Sequence, residues 1–179
     1  MIYLDNNATT KVDEKVLEEM LPYLQNEYAN PSSMYDFAKK PAAAIKEARA
    51  KIRDFLGANN EKEIVFTSCG SESANTAIKG VVSCNKEKRH LITTKVEHPC
   101  VLNVYKALEK QGYRVDYIGV NSVGELDLEA LSAAVDEDTA LVSVMWANNE
   151  TGVINPIGKI SEIVKSKNKD TKLYVDAVQ

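Results

Sequence analysis

The stretch Ile64-Val65-Phe66-Thr67-Ser68-Cys69-Gly70-Ser71-Glu72-Ser73-Ala74-Asn75 passes from apolar residues through a turn of small ones into a helical pattern. Such a junction is suited to holding an anion. The first N–H groups of a helix have no intrahelical partners and lie at the positive end of its dipole, so a phosphate placed there gains hydrogen bonds and charge stabilisation together. Cys69, Gly70 and Ser71 are small enough to let it approach, and the apolar face begins after them at Ala74, Ala77, Ile78, Val81 and Val82. The same residues also suit an ordinary strand-turn-helix connection with a Ser cap.

Other polar groups stand directly after apolar runs. Asp176 follows Leu173-Tyr174-Val175, which reads as a buried central strand, where a carboxylate is costly unless a cation or strong donor meets it. It either caps the following turn or pairs with the protonated ring nitrogen of a heteroaromatic cofactor, with Gln179 donating to a ring substituent. His98 lies between Glu97 and Pro99, and Pro99 suits the first position of a helix. Its imidazole is either a polar residue at that helix start or a flat surface on which an aromatic ring can stack. Asn149 belongs to Trp146-Ala147-Asn148-Asn149-Glu150-Thr151-Gly152, a loop dense in side-chain amides, and is otherwise an ordinary turn residue.

These groups must be positioned by strands and helices. Apolar, β-branched runs alternate with helical patterns: strands are expected near 64–67, 90–94, 114–118, 139–146 and 172–176, and helices near 72–84, 99–111, 127–135 and 157–167. The fold class implied is α/β, a mostly parallel, open sheet with helices on both faces. In such sheets ligands bind beyond the carboxyl ends of the strands, which is where all four polar segments fall. Residues 1–60 differ in character and form an expected amino-terminal helical segment, distinct from 61–179. Val12 to Gln25 is amphipathic, with Pro22 expected to kink or end it. Ala42 to Leu56 reads as a helix with Ile45, Ala48, Ile52, Phe55 and Leu56 facing a core and Gly57 as its C-cap.

Composition narrows the chemistry. The chain has 179 residues, 44% hydrophobic, with 22 basic and 26 acidic side chains interspersed, so neither a nucleic-acid nor an anionic-membrane surface is indicated. No run approaches the roughly 20 apolar residues of a membrane helix and the first residues lack a basic, apolar leader, so a cytoplasmic location is expected. Two histidines, His90 and His98, and cysteines 69, 84 and 100 at no metal or redox spacing leave hard chemistry to an organic cofactor. A phosphate cradle, a ring stacker, a ring-nitrogen partner and two amide hydrogen bonders on one sheet edge match the parts of pyridoxal 5'-phosphate. A Rossmann dinucleotide domain is disfavoured, because no GxGxxG follows the first strand of a βαβ unit.

Tyr3-Leu4-Asp5-Asn6-Asn7-Ala8-Thr9-Thr10, Asn30-Pro31-Ser32-Ser33, Ile64-Val65-Phe66-Thr67-Ser68, Glu72-Ser73, Glu97-His98, Asn148-Asn149-Glu150-Thr151-Gly152 and Val175-Asp176-Ala177-Val178-Gln179 together resemble the cysteine desulfurases of the NifS and IscS type. These are class-V-aminotransferase-like pyridoxal phosphate enzymes of fold type I, and the likeness runs the whole length of the chain. It implies that Gly70 and Ser71 hold the cofactor phosphate and that His98 stacks on the ring and serves in acid/base work. It further implies Asn149 near the ring hydroxyl and the substrate, Asp176 at the pyridine nitrogen and Gln179 at the ring oxygen. The family's usual Gly-Ala-Thr or Gly-Gly-Thr is Cys69-Gly70-Ser71 here, which keeps small residues and a hydroxyl, and Cys69 is not expected to carry sulfur.

The reaction implied is removal of sulfur from L-cysteine to give alanine and an enzyme persulfide for iron-sulfur cluster assembly. Sulfur-acceptor or scaffold proteins and a homodimer are the implied partners. The family's Schiff-base lysine, in a Ser-x-His-Lys segment, and its persulfide cysteine have no counterpart here. Lys165, Lys167, Lys169 and Lys172 read as solvated surface. The expectation is therefore an amino-terminal half, inactive by itself. A selenocysteine lyase or another class-V enzyme is the alternative within the family. A non-catalytic chain that retains the fold for interaction is the alternative outside it.

Overall fold

The computed structural model describes residues 2–179. They form two compact units, the first ending at Phe66 and the second beginning at Thr67.

The first unit is helical. Helix α1 (Glu14–Gln25) starts at Asp13, whose carboxylate accepts from the Lys15 N–H. Pro22 does not end it: the helix continues to Gln25, and the Asn26 N–H returns to the Pro22 carbonyl at 2.9 Å. A proline one turn from the end forfeits a single backbone bond, which the last turn absorbs. Helix α2 (Lys39–Leu56) begins three residues before the expected start and ends at Gly57 in the left-handed region, φ 67°, where glycine carries no Cβ penalty. Its apolar face does not meet a core, since Ile45, Ile52, Phe55 and Leu56 are all exposed. Among the described residues of this unit only Ala29, Ala38 and Pro41 are buried, too little to enclose two amphipathic helices. The expected strand at 64–67 is also absent. Ile64 is extended, but its carbonyl accepts from the Arg49 guanidinium at 3.2 Å instead of a neighbouring strand.

The second unit is a three-layer α/β sandwich. Its strands β1 (His90–Thr94), β2 (Arg114–Ile118), β3 (Thr139–Met145) and β4 (Lys172–Asp176) form one parallel sheet in the order β2-β1-β3-β4. Between them run α3 (Gly70–Cys84), α4 (Pro99–Lys110), α5 (Leu128–Ala134) and α6 (Ile157–Lys167). Strand alternation sends Leu91 and Leu141 to one face, where they pack with Ala74, Ile78, Val101 and Tyr105 of α3 and α4. Ile92, Val142 and Val144 go to the other face, against Leu131, Ile160 and Val164 of α5 and α6. Burial on both faces leaves no exposed alternation in β1 and β3, where every residue is buried, polar ones such as His90 and Thr93 included. Strand β4 is not central as expected but pairs with β3 alone among the described residues, and its side chains are only half-buried.

At the amino ends of the strands, the fully buried His90 bridges the Thr139 hydroxyl at 2.8 Å and the Asp116 carboxylate at 3.0 Å. Arg114 pairs there with Asp136. The opposite, carboxyl edge carries the polar loops.

Candidate functional site

Helix α3 begins at Gly70, two residues earlier than its sequence pattern indicates, so Gly70 and Ser71 both belong to its first turn. Ser68 anchors this start: its N–H and hydroxyl both donate to the Glu72 carboxylate at 2.6 Å, in the manner of a capping box. The Thr67 and Ser73 hydroxyls meet at 2.8 Å. Cys69 occupies the cap position in extended conformation, φ −169°. The Glu72 N–H, the Ser68 hydroxyl and the Ser71 N–H favour its thiolate and hold its pKa below the ordinary thiol value. The first-turn N–H groups of α3 are thus the donors that an anion placed at this helix start would meet.

His98 caps α4, with Pro99 at the first helical position. Its Nδ1 accepts from the Cys100 N–H at 3.2 Å, which places the proton of the neutral imidazole on Nε2. The ring is exposed at the carboxyl edge.

Asn149 is half-buried in the loop after β3 and donates to the adjacent Glu150 carboxylate at 3.0 Å. Its neighbour Asn148 does more of the structural work. The Asn148 amide donates to the Val96 carbonyl at 3.0 Å, and its oxygen accepts from the N–H groups of Glu150 and Thr151, so it shapes its own loop while tying it to the loop after β1.

Sequence reasoning passed over Glu97. This carboxyl is only 4% exposed. Its Oε1 accepts from the Thr94 hydroxyl at 2.7 Å and from the Met145 N–H at 2.9 Å, while Oε2 is buried without a hydrogen-bond partner among the described residues. Burial pushes its pKa up to about 7 against the two hydrogen bonds, and the charge of Asp176 adds to the rise. The signal in the sequence is weaker than at Asp176: Glu97 stands three residues after a buried strand, whereas Asp176 ends its own.

Asp176 ends β4 opposite Met145. One carboxylate oxygen accepts from the Val178 N–H at 3.1 Å, so the residue does cap the following turn, and its carbonyl accepts from the Trp146 N–H at 2.8 Å. A cavity of ≈ 310 Å³ opens beside it, lined by Gly70, Ser73, Tyr174, Val175, Asp176 and Val178 among others. Gly70 and Asp176 therefore face one space. Ser71, His98, Asn149 and Gln179 belong to the same edge but not to the lining of that cavity.

The donor set suits a pyridoxal phosphate. A helix start that favours an anion and a carboxylate able to hold a ring proton border one cavity. At Gly70 an added Cβ would stand 3.3 Å from Val178 Cγ2, so any larger residue would narrow the space between the two.

The sequence carries the same kinship as the geometry. Over 179 residues the chain is 54% identical to cysteine desulfurase 2 of Trichormus variabilis, covering 100% of this chain and 44% of that protein. It is 43% identical to cysteine desulfurase NifS of Azotobacter vinelandii, again over 44% of that protein's length. The chain thus spans less than half of the curated relatives it matches. Among solved structures, a NifS-like protein superposes with a TM-score of 0.96 at 46% identity, covering 99% of this chain and 49% of that one. A structure described as SspA in complex with cysteine follows at 0.91 and 40%, covering 99% of this chain and 50% of that one. The profile of the aminotransferase class-V family matches residues 2–179, and the chain belongs to that family.

Proposed function

We propose that this chain supplies the cofactor-binding edge of a pyridoxal 5'-phosphate-dependent cysteine desulfurase that acts on L-cysteine. The observation that carries the reading is the cavity shared by Gly70 at the start of α3 and Asp176 at the end of β4. In this reading the first-turn N–H groups of α3, with the Ser71 hydroxyl, take the phosphate. The Gly70 position leaves the room that a close approach needs. Asp176 holds a proton on the pyridine nitrogen by charge and hydrogen bond. The cofactor supplies an electron-withdrawing ring that weakens the bonds around the α-carbon of a bound amino acid. His98, with Nε2 protonated when neutral, stacks on the ring and offers a proton. Asn149 and Gln179 hydrogen-bond its oxygen substituent.

Kinship to named cysteine desulfurases supports L-cysteine as substrate, sulfur delivery to iron-sulfur assembly proteins, homodimerisation and a cytoplasmic setting. No described helix is long and apolar enough to cross a membrane. The test uses pyridoxamine 5'-phosphate, which has the ring and phosphate but no aldehyde to react with surface lysines. Fluorescence titration should give saturable binding that Asp176→Asn weakens about tenfold, as expected for loss of one charge-assisted hydrogen bond. Equal affinity in the two proteins would refute the assignment of Asp176, and no saturable binding would refute the cofactor.

A further inference from the structure

We propose that Glu97 is a positioning residue for this edge, whose carboxyl locks the turn carrying His98 to the end of β3 and so fixes the ring stacker relative to Asp176. The inference rests on the pyridoxal phosphate reading and concerns a residue with no assigned role in it.

The geometry is a continuous set of bonds. Glu97 Oε1 accepts at once from Thr94 at the end of β1 and from the N–H of Met145 at the end of β3, 48 residues away from Glu97 in sequence. A second tie runs parallel to it, from the Asn148 amide to the Val96 carbonyl. Beyond Met145, the Trp146 N–H donates to the Asp176 carbonyl, and the Asn155 amide donates to the Met145 carbonyl at 2.8 Å. The backbone of the His98 turn is therefore coupled through one carboxyl oxygen to the strand end that pairs with Asp176.

A carboxyl is a costly way to make that tie. Both donors need only a neutral acceptor, and Oε2 adds a buried polar atom with no bond in return. What sets the charge state of the acid is its surroundings. Glu97 lies close enough to Asp176 of β4 to feel its charge. Burial favours the neutral form of Glu97, which keeps its two acceptor bonds and sets less negative charge beside the ring-nitrogen partner than an ordinary carboxylate would. The role demanded of it is thus acceptor geometry and not charge, and this separates it from Asp176.

The test compares wild type, Glu97→Gln and Glu97→Ala by titration with pyridoxamine 5'-phosphate. Fluorescence reads affinity, and induced circular dichroism of the bound ring reads its orientation. The Gln variant keeps the acceptor and should match wild type in both. The Ala variant leaves two buried donors unpaired, and should lose about tenfold in affinity along with most of the induced signal per bound ring. Wild-type values for Glu97→Ala, or an equal loss in Glu97→Gln, would overturn the proposal. If Glu97→Ala does not fold, Thr94→Val removes one of the two donors and leaves Glu97 in place. A reduced induced signal is then expected, and an unchanged one would overturn the proposal. No binding by wild type would instead overturn the cofactor reading, and this inference with it.

Discussion

Replacing Glu97 by glutamine should change how stability depends on pH, in a direction that the structure fixes. The folded carboxyl has a pKa of about 7 against an ordinary value of 4.5, so between those values the native state binds a proton that the unfolded chain releases. Stability contributed by the neutral form is complete below 4.5 and is lost as pH rises through 7. At 1.36 kcal/mol per pH unit, the loss amounts to about 3 kcal/mol by pH 8. Glutamine keeps the acceptor for Thr94 and Met145 and has nothing to ionise. Trp146, the single tryptophan, lies after β3 and reports unfolding of the second unit by fluorescence in urea. Between about pH 5 and pH 8 the variant should gain on wild type by about 3 kcal/mol, and it should be the more stable protein at the upper end. Titrations of groups that do not feel Glu97 are common to both proteins and cancel in the difference. A gap between the two that stays constant with pH would refute the reasoning, since it would mean that Glu97 ionises in the fold as it does in water.

At the other end of the strands the sign reverses. Burial alone would raise the pKa of Asp136, but the Arg114 guanidinium, the Thr139 hydroxyl and His90 outweigh it and hold it at about 2 against an ordinary 3.8. Its stabilisation is present above 3.8 and lost as pH falls toward 2. With the side chain 45% exposed, screening reduces this to about 1 kcal/mol, seen as an acid-side slope in urea midpoints that Asp136→Asn should flatten. Gly70→Val should leave the unfolding midpoint nearly unchanged while lowering pyridoxamine 5'-phosphate affinity at least about tenfold, because its Cβ already meets Val178 at 3.3 Å; undiminished binding would remove Gly70 from the cavity wall. Ile78→Ala in α3, fully buried against the sheet, should cost roughly 3 kcal/mol in urea unfolding. A loss within measurement error would mean that the α3 face of the sheet is not a packed core.

The sheet was legible because its strands are short apolar runs separated by helical periodicity, and β1, β2 and β4 lie where that rhythm puts them. What rhythm does not encode is pairing. Ile64 to Thr67 has the composition of a strand, yet a strand exists only if a neighbour supplies the ladder, and at Ile64 a helix guanidinium takes the carbonyl instead. For the same reason Leu173-Tyr174-Val175 looked central, although β4 pairs on one side only among the described residues. At the site, the carboxyl-edge placement of the loops after β1, β3 and β4 is legible from parallel topology, and the start of α3 is readable to within two residues although the strand expected before it does not form. The role of Glu97 was not, because its two donors come from different strands and only the fold brings them to one oxygen.

The chain steps from β1 outward to β2, then returns past β1 to lay down β3 and β4 on its other side. Connections that leave neighbouring strands in opposite directions open a crevice, and in open parallel sheets that seam is where a ligand ordinarily settles. Here the seam between β1 and β3 is stitched shut by Glu97 and Asn148, and the open space lies one strand further along, beside Asp176. The bonds that stiffen the edge thus run between the ends of β1 and β3, while the room for a ligand opens against β4, so a side chain lining that room is not one of those that hold the seam.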